Sequence, residues 1–599
     1  MEIGLELRPY IEGRYSTEPE IENNALSRHH KPEPPARGTA PPNLLPLGRH
    51  NFSHTGEIRG FGPRTEAGDP IPKIPAAAPD AEHQTLKFPF HGLHYGIKRF
   101  PGVLDQITQS KRLEYFFRVI VTESNVFEIM RPASTETVVT NDHHNLQTKQ
   151  STSLPSSSSS DRVIIAGAGP TGLFLAYKLA KSGIKVDLVE RLPDISDAPR
   201  AAGYYGATLL ALKDAGLLHL AAQRGYLTRA VGWRTAVHDD GHGNKTWGRL
   251  LCNIPFDQGS PERPEMGMLL LPQPKLCELL KEQIHVLNGM QPGSVKFHFH
   301  SELSNVHDDG HGVTVTVRNP ETGIERELRG SLFVGADGAK SKARQLLGIK
   351  LQGHTWPERM IAADVLLRNV DVPPLTQLHF VVHPVHFAMV IPLERPVEGE
   401  TTLWRFSMST DPTDNSTEEE LVREENLARL FENYMVGPRP PQYKVVSKTV
   451  YRLHQRLANR MAIGRCALVG DAAHLNNPVG ALGLSTGILD CDALATAIEM
   501  ILHEGGPLSL LSTYSDARRQ VFQSFVSPTS TANKLRLQQE PVEADDDWLI
   551  RKMQNPTLET LHDFIQPYIT VWRTDMRTLV AEQAARNEPI LKANLSEAF

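Results

Sequence analysis

The chain has few cysteines, and their spacing excludes two classes of protein. Its 599 residues include four of them, Cys252, Cys277, Cys466 and Cys491, and no two form a CxxC pair. A zinc site or a disulfide framework needs closely and regularly spaced cysteines. We therefore interpret the four as buried thiols of a protein in a reducing compartment, and we expect a cytoplasmic location.

Long apolar runs and a strong charge of one sign are also lacking. No run approaches the roughly 20 residues of a membrane-spanning helix, and the N-terminus lacks the basic-then-apolar layout of a secretory signal. The formal net charge of −6, with interspersed signs, gives no electrostatic reason to expect nucleic acid as a partner. We expect a soluble protein that binds neither membrane nor nucleic acid.

Residues 1–160 differ in character from the rest of the chain. Proline-rich segments such as 31–35 alternate with polar stretches, and the serine run 156–160 ends them. This composition predicts a largely disordered extension and linker, with local structure only at 113–130. Whether this extension belongs to the mature protein stays open at this stage.

From Asp161 onward the periodicity predicts an α/β unit. Val163–Ala166 has the pattern of a buried strand, Thr171–Lys181 that of a helix, and Lys185–Glu190 that of a second strand. The loop between the first strand and the helix is Gly167-Ala168-Gly169-Pro170-Thr171-Gly172. A glycine-rich loop in a βαβ unit is typical of a dinucleotide site.

Each glycine of this loop has a distinct predicted task. Gly167 permits the tight turn, Gly169 lets the backbone approach a pyrophosphate, and Gly172 lets the helix pack against the strand. Glu190 ends the second strand, where its carboxylate can accept hydrogen bonds from a ribose hydroxyl. This motif alone does not distinguish NAD from FAD.

Two further motifs decide between these nucleotides. Gly335-Ala336-Asp337-Gly338 and Gly470-Asp471-Ala472-Ala473-His474 each close an apolar run. A carboxylate at a strand end suits ribityl hydroxyls or water around a pyrophosphate; we assign the first role to Asp471 and the second to Asp337. The order of the three motifs predicts a flavoprotein with FAD as its cofactor.

A glycine-punctuated loop follows the third motif at Pro478–Gly487 and leads into a predicted helix. Its amides, with Gly483 among them, and the positive end of the helix dipole can stabilise negative charge on the pyrimidine edge of a reduced flavin. We therefore include Gly483 among the cofactor-binding residues.

Residues 161 to about 540 resemble the para-hydroxybenzoate hydroxylase-like class of FAD-dependent monooxygenases, and most closely its fungal members associated with secondary metabolism. The matching segments are GAGPTG at 167–172, GADGAKSKAR at 335–344 and RCALVGDAAH at 465–474. The resemblance implies an oxidoreductase that takes electrons from NAD(P)H and one oxygen atom from O₂ to hydroxylate an aromatic small molecule. A homodimer is left open.

The resemblance also implies roles for three more residues. Arg200 matches an arginine near the FAD diphosphate and ribityl chain, and Gln273 matches a position that contacts the ribityl chain. Pro478 matches the proline beside the isoalloxazine, the place of the reaction, and it is our candidate catalytic residue. Two departures limit the resemblance: residues 480–483 are GALG where members often have GGQG, and Ala202 stands where phenol hydroxylase-like relatives carry an acid.

The predicted architecture is a discontinuous Rossmann-like FAD-binding domain with a sheet-rich substrate domain. The first spans 161–540, the substrate sheet comes mainly from 355–455 with part of 230–330, and 541–599 form a C-terminal helical segment. The same framework also supports an epoxidase, a Baeyer–Villiger oxygenase or a dehydrogenase. A redox-inactive binding homologue is a remote alternative.

Several polar residues attract a functional interpretation that we do not adopt. His379, His383 and His386 lie in one strand-like run, whose alternation places them on different faces, so no metal site is predicted. Arg405 either reaches the substrate pocket or forms a surface salt bridge. His474 packs at a helix start and is not assigned as a catalytic base.

Overall fold

The structure of the protein is a computed structural model. It describes residues 162–197, 201–256, 263–373 and 377–597, with side chains as far as residue 587. The expectations for residues 1–160 and for Arg200 lie outside these residues.

The strands follow one another along the described residues in the order of their numbers. They are β1 (Arg162–Ala166), β2 (Lys185–Val189), β3 (Gly203–Tyr205), β4 (Tyr226–Thr228), β5 (Ala230–Arg234), β6 (His238–Asp239), β7 (Asn244–Thr246), β8 (Leu250–Pro255), β9 (Met268–Leu270), β10 (Val295–His298), β11 (Glu302–Asp308), β12 (Val313–Arg318), β13 (Glu325–Gly330), β14 (Leu332–Gly335), β15 (Leu351–Arg368), β16 (Leu378–Val381), β17 (Ala388–Pro392), β18 (Thr401–Ser409), β19 (Gly437–Pro438), β20 (Tyr443–Ala458), β21 (Ala462–Ile463), β22 (Cys466–Leu468) and β23 (His474–Leu475).

The helices are numbered in the same way. They are α1 (Pro170–Lys181), α2 (Ala207–Asp214), α3 (Leu218–Arg224), α4 (Gln273–Met290), α5 (Lys342–Leu346), α6 (Glu418–Leu421), α7 (Glu424–Phe431), α8 (Leu482–Leu502), α9 (Leu510–Val521), α10 (Ser527–Leu537), α11 (Pro541–Ala544), α12 (Trp548–Gln554), α13 (Leu558–Thr570) and α14 (Met576–Glu597). Short 3₁₀ turns occupy Pro264–Met266 and Gly470–Ala472, and a π turn occupies Phe522–Val526. Within the described part of the chain, no helix is both long and apolar enough to cross a membrane.

A six-stranded sheet forms the first layer, in the order β10-β2-β1-β14-β22-β21. Its first five strands are parallel, and their apolar runs are buried because helices such as α1, α4 and α8 pack around the sheet. Ala166 pairs with Gly335, and Gly335 pairs with Leu468. Strands far apart in sequence therefore end together at one edge, which confirms the predicted discontinuous Rossmann-like α/β fold.

An eight-stranded, mostly antiparallel sheet forms the second layer, in the order β23-β20-β15-β18-β17-β16-β5-β8. One apolar cluster on it centres on Phe406 and Phe431, and another centres on Phe387 and Met389. Most of its strands lie between residues 351 and 458, with β5 and β8 added from 230–255. The sheet-rich part of the predicted fold is thereby confirmed.

The run His379–Ile391 differs from its expected form. It contains two strands, β16 and β17, rather than one. The turn between them is closed by His383, whose Nδ1 accepts the N–H groups of Val385 (3.1 Å) and His386 (2.8 Å). An imidazole that accepts local backbone hydrogen bonds offers the chain an alternative to the strand ladder.

Candidate functional site

Three loops leave the same edge of the six-stranded sheet, one from each of β1, β14 and β22. Backbone hydrogen bonds connect neighbouring strand ends: the Gly167 N–H donates to Val189 O (2.7 Å), and the Ala336 N–H donates to Ala166 O (2.8 Å). The Val469 N–H donates to Gly335 O (3.0 Å). The structure thus brings the three sequence motifs together, and ligands of open α/β sheets bind at this kind of edge.

The glycines of the first loop divide into packed and open positions. A Cβ on Gly172 would lie 1.9 Å from Gly167 O, and one on Gly167, whose φ is +106°, would lie 2.5 Å from Ala336 O. Around the corresponding position on Gly169 nothing lies within 4 Å. Two glycines are therefore required by backbone packing, while the third borders open space at the start of α1.

That open space has the chemistry of an anion site. Helix α1 begins at Pro170, its N-cap residue Gly169 makes no side-chain cap, and its first turn contains no acid. The first amides of a helix have no intrahelical partner and carry the positive end of its dipole. The loop therefore fits the pyrophosphate of a dinucleotide.

Glu190 stands directly beside this loop. Its Oε2 accepts the Ala168 N–H (2.8 Å) and its Oε1 accepts the Leu192 N–H (3.0 Å). A carboxylate has about four acceptor positions, so both oxygens retain capacity for a hydroxyl donor. The half-buried side chain couples the end of β2 to the glycine loop.

The carboxylate of Asp337 is hydrogen-bonded mainly within its own segment, which the sequence did not indicate. Its Oδ2 accepts the N–H groups of Lys342 (2.7 Å) and Ala343 (2.9 Å), and its Oδ1 accepts the Ser341 hydroxyl. The carboxylate therefore satisfies the first amides of α5.

Arg344, in the same segment, connects the second motif to the third. It is buried, and its guanidinium donates to Ala472 O (2.9 Å) and to Ala339 O (3.0 Å). From the sequence alone, this arginine belongs to a matching segment and has no predicted role of its own. An arginine in the first turn of a short helix inside an apolar fold was the available signal, because a buried charge needs partners.

The third motif is packed against the first. Gly470 has φ +58°, and a Cβ there would lie 2.9 Å from Thr171 Cγ2 in α1. Gly487 of α8 approaches the same methyl group, with its Cβ position 2.7 Å away. Asp471, in the 3₁₀ turn after Gly470, is half-buried beside this contact.

A buried ionic cluster lies beneath the third motif. Asp490 of α8 accepts His474 Nε2 (2.6 Å), Arg518 Nε (2.8 Å) and the Gly470 N–H (3.1 Å). Burial opposes the charge of Asp490, yet the His474 imidazole and the Arg518 guanidinium hold the pKa of its carboxyl below its usual value. His474 is therefore a buried partner of Asp490 and packs on Phe522, with ring centroids 5.0 Å apart.

The loop from Pro478 to the start of α8 is a tight turn. The Ala481 N–H donates to Pro478 O (3.1 Å), and Gly480 and Ala481 have φ of +99° and +55°. Helix α8 then begins at Leu482 without a side-chain cap. Gly483, its second residue, lies beside Asn476, whose buried Oδ1 accepts no hydrogen bond from the described residues.

Gln273 is the first residue of α4. Its N–H donates to Ala201 O (2.9 Å), and the Leu271 N–H donates to Ala202 O (2.7 Å). The half-buried glutamine therefore lies beside the described end of the segment that contains Arg200.

An aromatic wall joins the cores of the two sheets. Four half-buried apolar side chains pack against both the core of the six-stranded sheet and the cluster around Phe387. They are Phe256, Phe380, Ile391 and Phe564. Val479, next to Pro478, belongs to the second of these cores. The wall offers apolar and π contacts suited to a small aromatic molecule.

Two other sequence interpretations need correction. Arg405 does not form a surface salt bridge, because its two-pronged ion pair with Asp364, at 2.7 and 2.8 Å, is buried. His383 and His386 are not separated by strand alternation: their rings lie 5.4 Å apart in the turn after β16. Among the described residues, no cluster of three or more histidine, cysteine or acidic side chains could hold a metal ion.

Comparison with known proteins agrees with this geometry. Residues 161–529 match the family model described as FAD binding domain. Para-nitrophenol 4-monooxygenase of Pseudomonas sp. (strain WBC-3) is 34% identical over 373 residues, which is 62% of this chain and 86% of that protein. The 6-hydroxy-3-succinoylpyridine 3-monooxygenase HspB of Pseudomonas putida (strain DSM 28022 / S16) is 31% identical over 390 residues, which is 65% of this chain and 92% of that protein.

A solved structure extends the match to the fold. The crystal structure of p-nitrophenol 4-monooxygenase PnpA from Pseudomonas putida DLL-E4 has a TM-score of 0.60 and 30% identity, and it covers 69% of this chain and 98% of that one. The fold and the three loops define an FAD-binding flavoprotein. The chain belongs to the FAD-binding-domain family, within the para-hydroxybenzoate hydroxylase-like class of monooxygenases. It is an FAD-dependent monooxygenase and an oxidoreductase, as the sequence predicted.

Proposed function

We propose that the protein uses NAD(P)H and O₂ to hydroxylate a phenolic or polyketide-like aromatic molecule on the ring. The observation that carries this proposal is the aromatic wall, whose side chains pack against the same core as Val479 of the Pro478 loop. The wall would supply apolar contacts near the proposed cofactor edge. The names of two relatives support it. Para-nitrophenol, named for the first, is a phenol. The 6-methylpretetramide 4-monooxygenase of Streptomyces rimosus, 28% identical, supports the polyketide-like alternative.

The nucleotide half of FAD is proposed to bind at the start of α1. The open position at Gly169 and the free amides of the first turn support pyrophosphate binding there, with Gly167 and Gly172 shaping the loop. Glu190 is the proposed acceptor for a ribose hydroxyl, because its carboxylate adjoins that loop. Asp337 is proposed to act mainly through α5, whose start it holds.

The ribityl chain is proposed to run past the third motif. Asp471 is the proposed acceptor for ribityl hydroxyls, and its place between α1 and α8 supports this. Gln273 is proposed to contact the same chain, and its half-buried place at the start of α4 supports this. The same role is proposed for Arg200, which lies outside the described residues.

The ring of FAD, when bound, supplies the redox chemistry and the activation of O₂. The chain's own contribution is proposed to be orientation, exclusion of water and electrostatics. The amides at Gly483 and the positive end of α8 suit a negative charge on the ring, and the turn at Pro478 bounds the reacting edge. The unpaired Asn476 Oδ1 is an acceptor that a polar cofactor edge would satisfy.

A matched pair of glycine variants tests the cofactor site. Gly169→Ala should fold, because Gly169 has φ −76° and open space around its Cβ position, yet it should lose bound FAD. Gly289→Ala is the control, since its Cβ position in α4 is also open but lies away from the loops. Full flavin content per protein in Gly169→Ala would reject the proposed pyrophosphate site.

Product analysis tests the reaction. Phenols, beginning with 4-nitrophenol, should stimulate NAD(P)H oxidation, and the product should gain one oxygen atom by mass. An epoxide, a ring-expanded ester or a desaturated product would favour the epoxidase, the Baeyer–Villiger oxygenase or the dehydrogenase instead.

Location and assembly complete the proposal. A cytoplasmic location is supported by the four free, buried cysteines.

A homodimer is supported by exposed apolar side chains on the C-terminal helices, Val542, Trp548 and Leu558. Light scattering during size exclusion should give twice the 66.5 kDa chain mass, and a monomer mass would reject the dimer.

A further inference from the structure

One tyrosine connects the Pro478 loop to the C-terminal helices. Tyr205 of β3 is 7% exposed, and its hydroxyl donates to Gly480 O at 2.7 Å. Burial raises the pKa of Tyr205 well above its usual range, so the hydroxyl keeps its proton and acts as the donor. The acceptor carbonyl lies in the turn between Pro478 and Ala481.

This turn has a backbone that needs support. Ala481, at φ +55°, is one of two described residues other than glycine with positive φ, and Gly480 before it has φ +99°. Such conformations persist where the surroundings determine them, and they cluster at functional sites. Within the turn, the Ala481 N–H donates a hydrogen bond to Pro478 O. From a neighbouring strand, the Tyr205 hydroxyl donates a second hydrogen bond to Gly480 O.

The ring of Tyr205 is in turn enclosed by α13 and by the loop that follows it. Its centroid lies 5.3 Å from that of Tyr568 and 5.5 Å from that of Trp572. The Trp572 Nε1–H donates to Thr486 Oγ1 in α8 (2.9 Å), so this enclosure is anchored on the helix that follows the turn. A Cβ on Gly206 would meet Tyr568 O at 2.8 Å, which shows how closely α13 approaches β3.

The neighbouring tyrosine lacks this connection. Tyr204 is fully buried in the same strand, and its hydroxyl has no hydrogen-bond partner among the described residues. The two residues share chemistry, burial and strand, and they differ in whether the hydroxyl reaches the turn.

We propose that Tyr205 is a positioning residue that holds the Pro478–Gly483 turn against the flavin, and that Tyr568 and Trp572 fix Tyr205 for this task. The inference rests on the proposed function of the turn. The C-terminal helices thereby contribute to oxygen transfer without a direct contact to the reacting atoms.

The test compares Tyr205→Phe with Tyr204→Phe in the full-length holoenzyme. Loss of one net hydrogen bond should raise amide exchange in peptides covering 476–485 by about two- to tenfold in Tyr205→Phe. Tyr204→Phe should leave this exchange unchanged. The reduction potential of bound FAD should become more negative in Tyr205→Phe alone, because the amides and helix end that favour the reduced, anionic ring are then less well placed.

Turnover provides a third measurement, with 4-nitrophenol as the probe. Tyr205→Phe should release more peroxide and less product per NAD(P)H consumed, since a looser turn admits water. If wild-type protein fails to hydroxylate this probe or any other phenol, the proposed substrate class is rejected, while exchange and potential still decide the role of Tyr205. If Tyr205→Phe does not fold, Trp572→Phe serves in its place, and the same exchange pattern is expected. Exchange and potential equal to those of Tyr204→Phe would overturn the inference.

Discussion

The loop edge of the six-stranded sheet and the interior of the eight-stranded sheet use their carboxylates in different ways. At the edge of the six-stranded sheet, the carboxylates of Glu190 and Asp337 accept backbone N–H groups. In the eight-stranded sheet, Asp364 pairs with Arg405, and Glu358 pairs with the fully buried Lys534. The first arrangement fixes the path of loops and leaves acceptor capacity for a ligand. In the second, each carboxylate is neutralised by a buried cation and stabilises the packing of the sheet.

Asp490 belongs to the six-stranded side but combines both arrangements. Its carboxylate accepts hydrogen bonds from one backbone N–H, from the His474 imidazole and from the Arg518 guanidinium. This difference between the regions predicts that loss of a carboxylate reduces cofactor binding on the six-stranded side, at the loop edge or beneath the third motif. Loss of a carboxylate in the eight-stranded sheet should leave cofactor binding unchanged.

The largest expected effect separates stability from cofactor binding. Asp490→Asn and Asp364→Asn each leave a buried cationic partner without its counter-charge, which should cost about 3–5 kcal/mol of unfolding free energy. In the fraction that folds, Asp490→Asn should also hold less FAD. The Gly470 N–H then loses its charged acceptor, so the turn that carries Asp471 is held less firmly. Denaturant unfolding and flavin content measure the two effects. Equal flavin content in the two variants would contradict the comparison.

A pH series tests the pair in the eight-stranded sheet. Burial lowers the pKa of Lys534 to about 8, although Glu358 opposes the shift. The Lys534 ammonium lies 3.8 Å from the centroid of the Trp356 ring. The unfolded chain keeps this proton up to the ordinary lysine pKa of 10.5. Between these two values the unfolded state therefore binds more protons, and the stability of the wild type should rise with pH.

The rise is at most about 3 kcal/mol, from the linkage of 1.36 kcal/mol per pKa unit. The double variant Glu358→Leu/Lys534→Met is the reference, because it removes the pair and retains the other titrating groups. The stability difference between wild type and reference should increase from pH 8 to pH 10.5 and stay flat below pH 8. A flat difference throughout would show that Lys534 does not titrate in this window.

Loss of a single carboxylate at the loop edge should affect FAD affinity more than stability. The amide of Glu190→Gln can accept only one of the two backbone N–H groups that Glu190 now accepts, from Ala168 and Leu192. Glu190→Gln keeps the shape of the side chain and removes a charge-assisted hydrogen bond to the proposed ribose hydroxyl. The expected loss is roughly 1.5–3 kcal/mol, or about ten- to a hundredfold in the FAD dissociation constant. Titration of the apoprotein at fixed ionic strength gives this constant. An unchanged value would reject the role of Glu190.

The smallest expected effect concerns the residues before both sheets. A chain that begins at Ser158 should purify with the same flavin content as the full chain, because β1 starts at Arg162 and the three motifs follow it. Absorbance at flavin and protein wavelengths provides the measurement. A folded but flavin-free truncation would show that residues 1–157 contribute to the site.

The sequence predicted the six-stranded side more fully than the rest. The pattern of Val163–Ala166, the helix after it and the glycines at 167–172 are local signals, and the strand pairing places them as expected. The strand-like run 379–391 was less informative, because apolar alternation does not reveal that an imidazole closes a turn within it.

The cluster around Asp490 could not be derived from the sequence. Its members His474, Asp490 and Arg518 lie on three separate elements, and Arg518 donates to Trp572 O at 2.7 Å. Neither spacing nor propensity relates positions so far apart. The available signal was an acid within the otherwise apolar helix Leu482–Leu502, which requires a partner without indicating which one.

The strand order of the six-stranded sheet has a consequence for synthesis on the ribosome. β1 ends at Ala166, its neighbour β14 starts at Leu332, and the next strand β22 starts at Cys466. A ribosome that adds about 5–20 residues per second takes on the order of 10–30 s to reach β14, and about as long again to reach β22. During these intervals the nascent chain exposes the apolar edge of β1 and then that of β14. Chaperones that shield open strand edges should therefore determine the yield of the active enzyme.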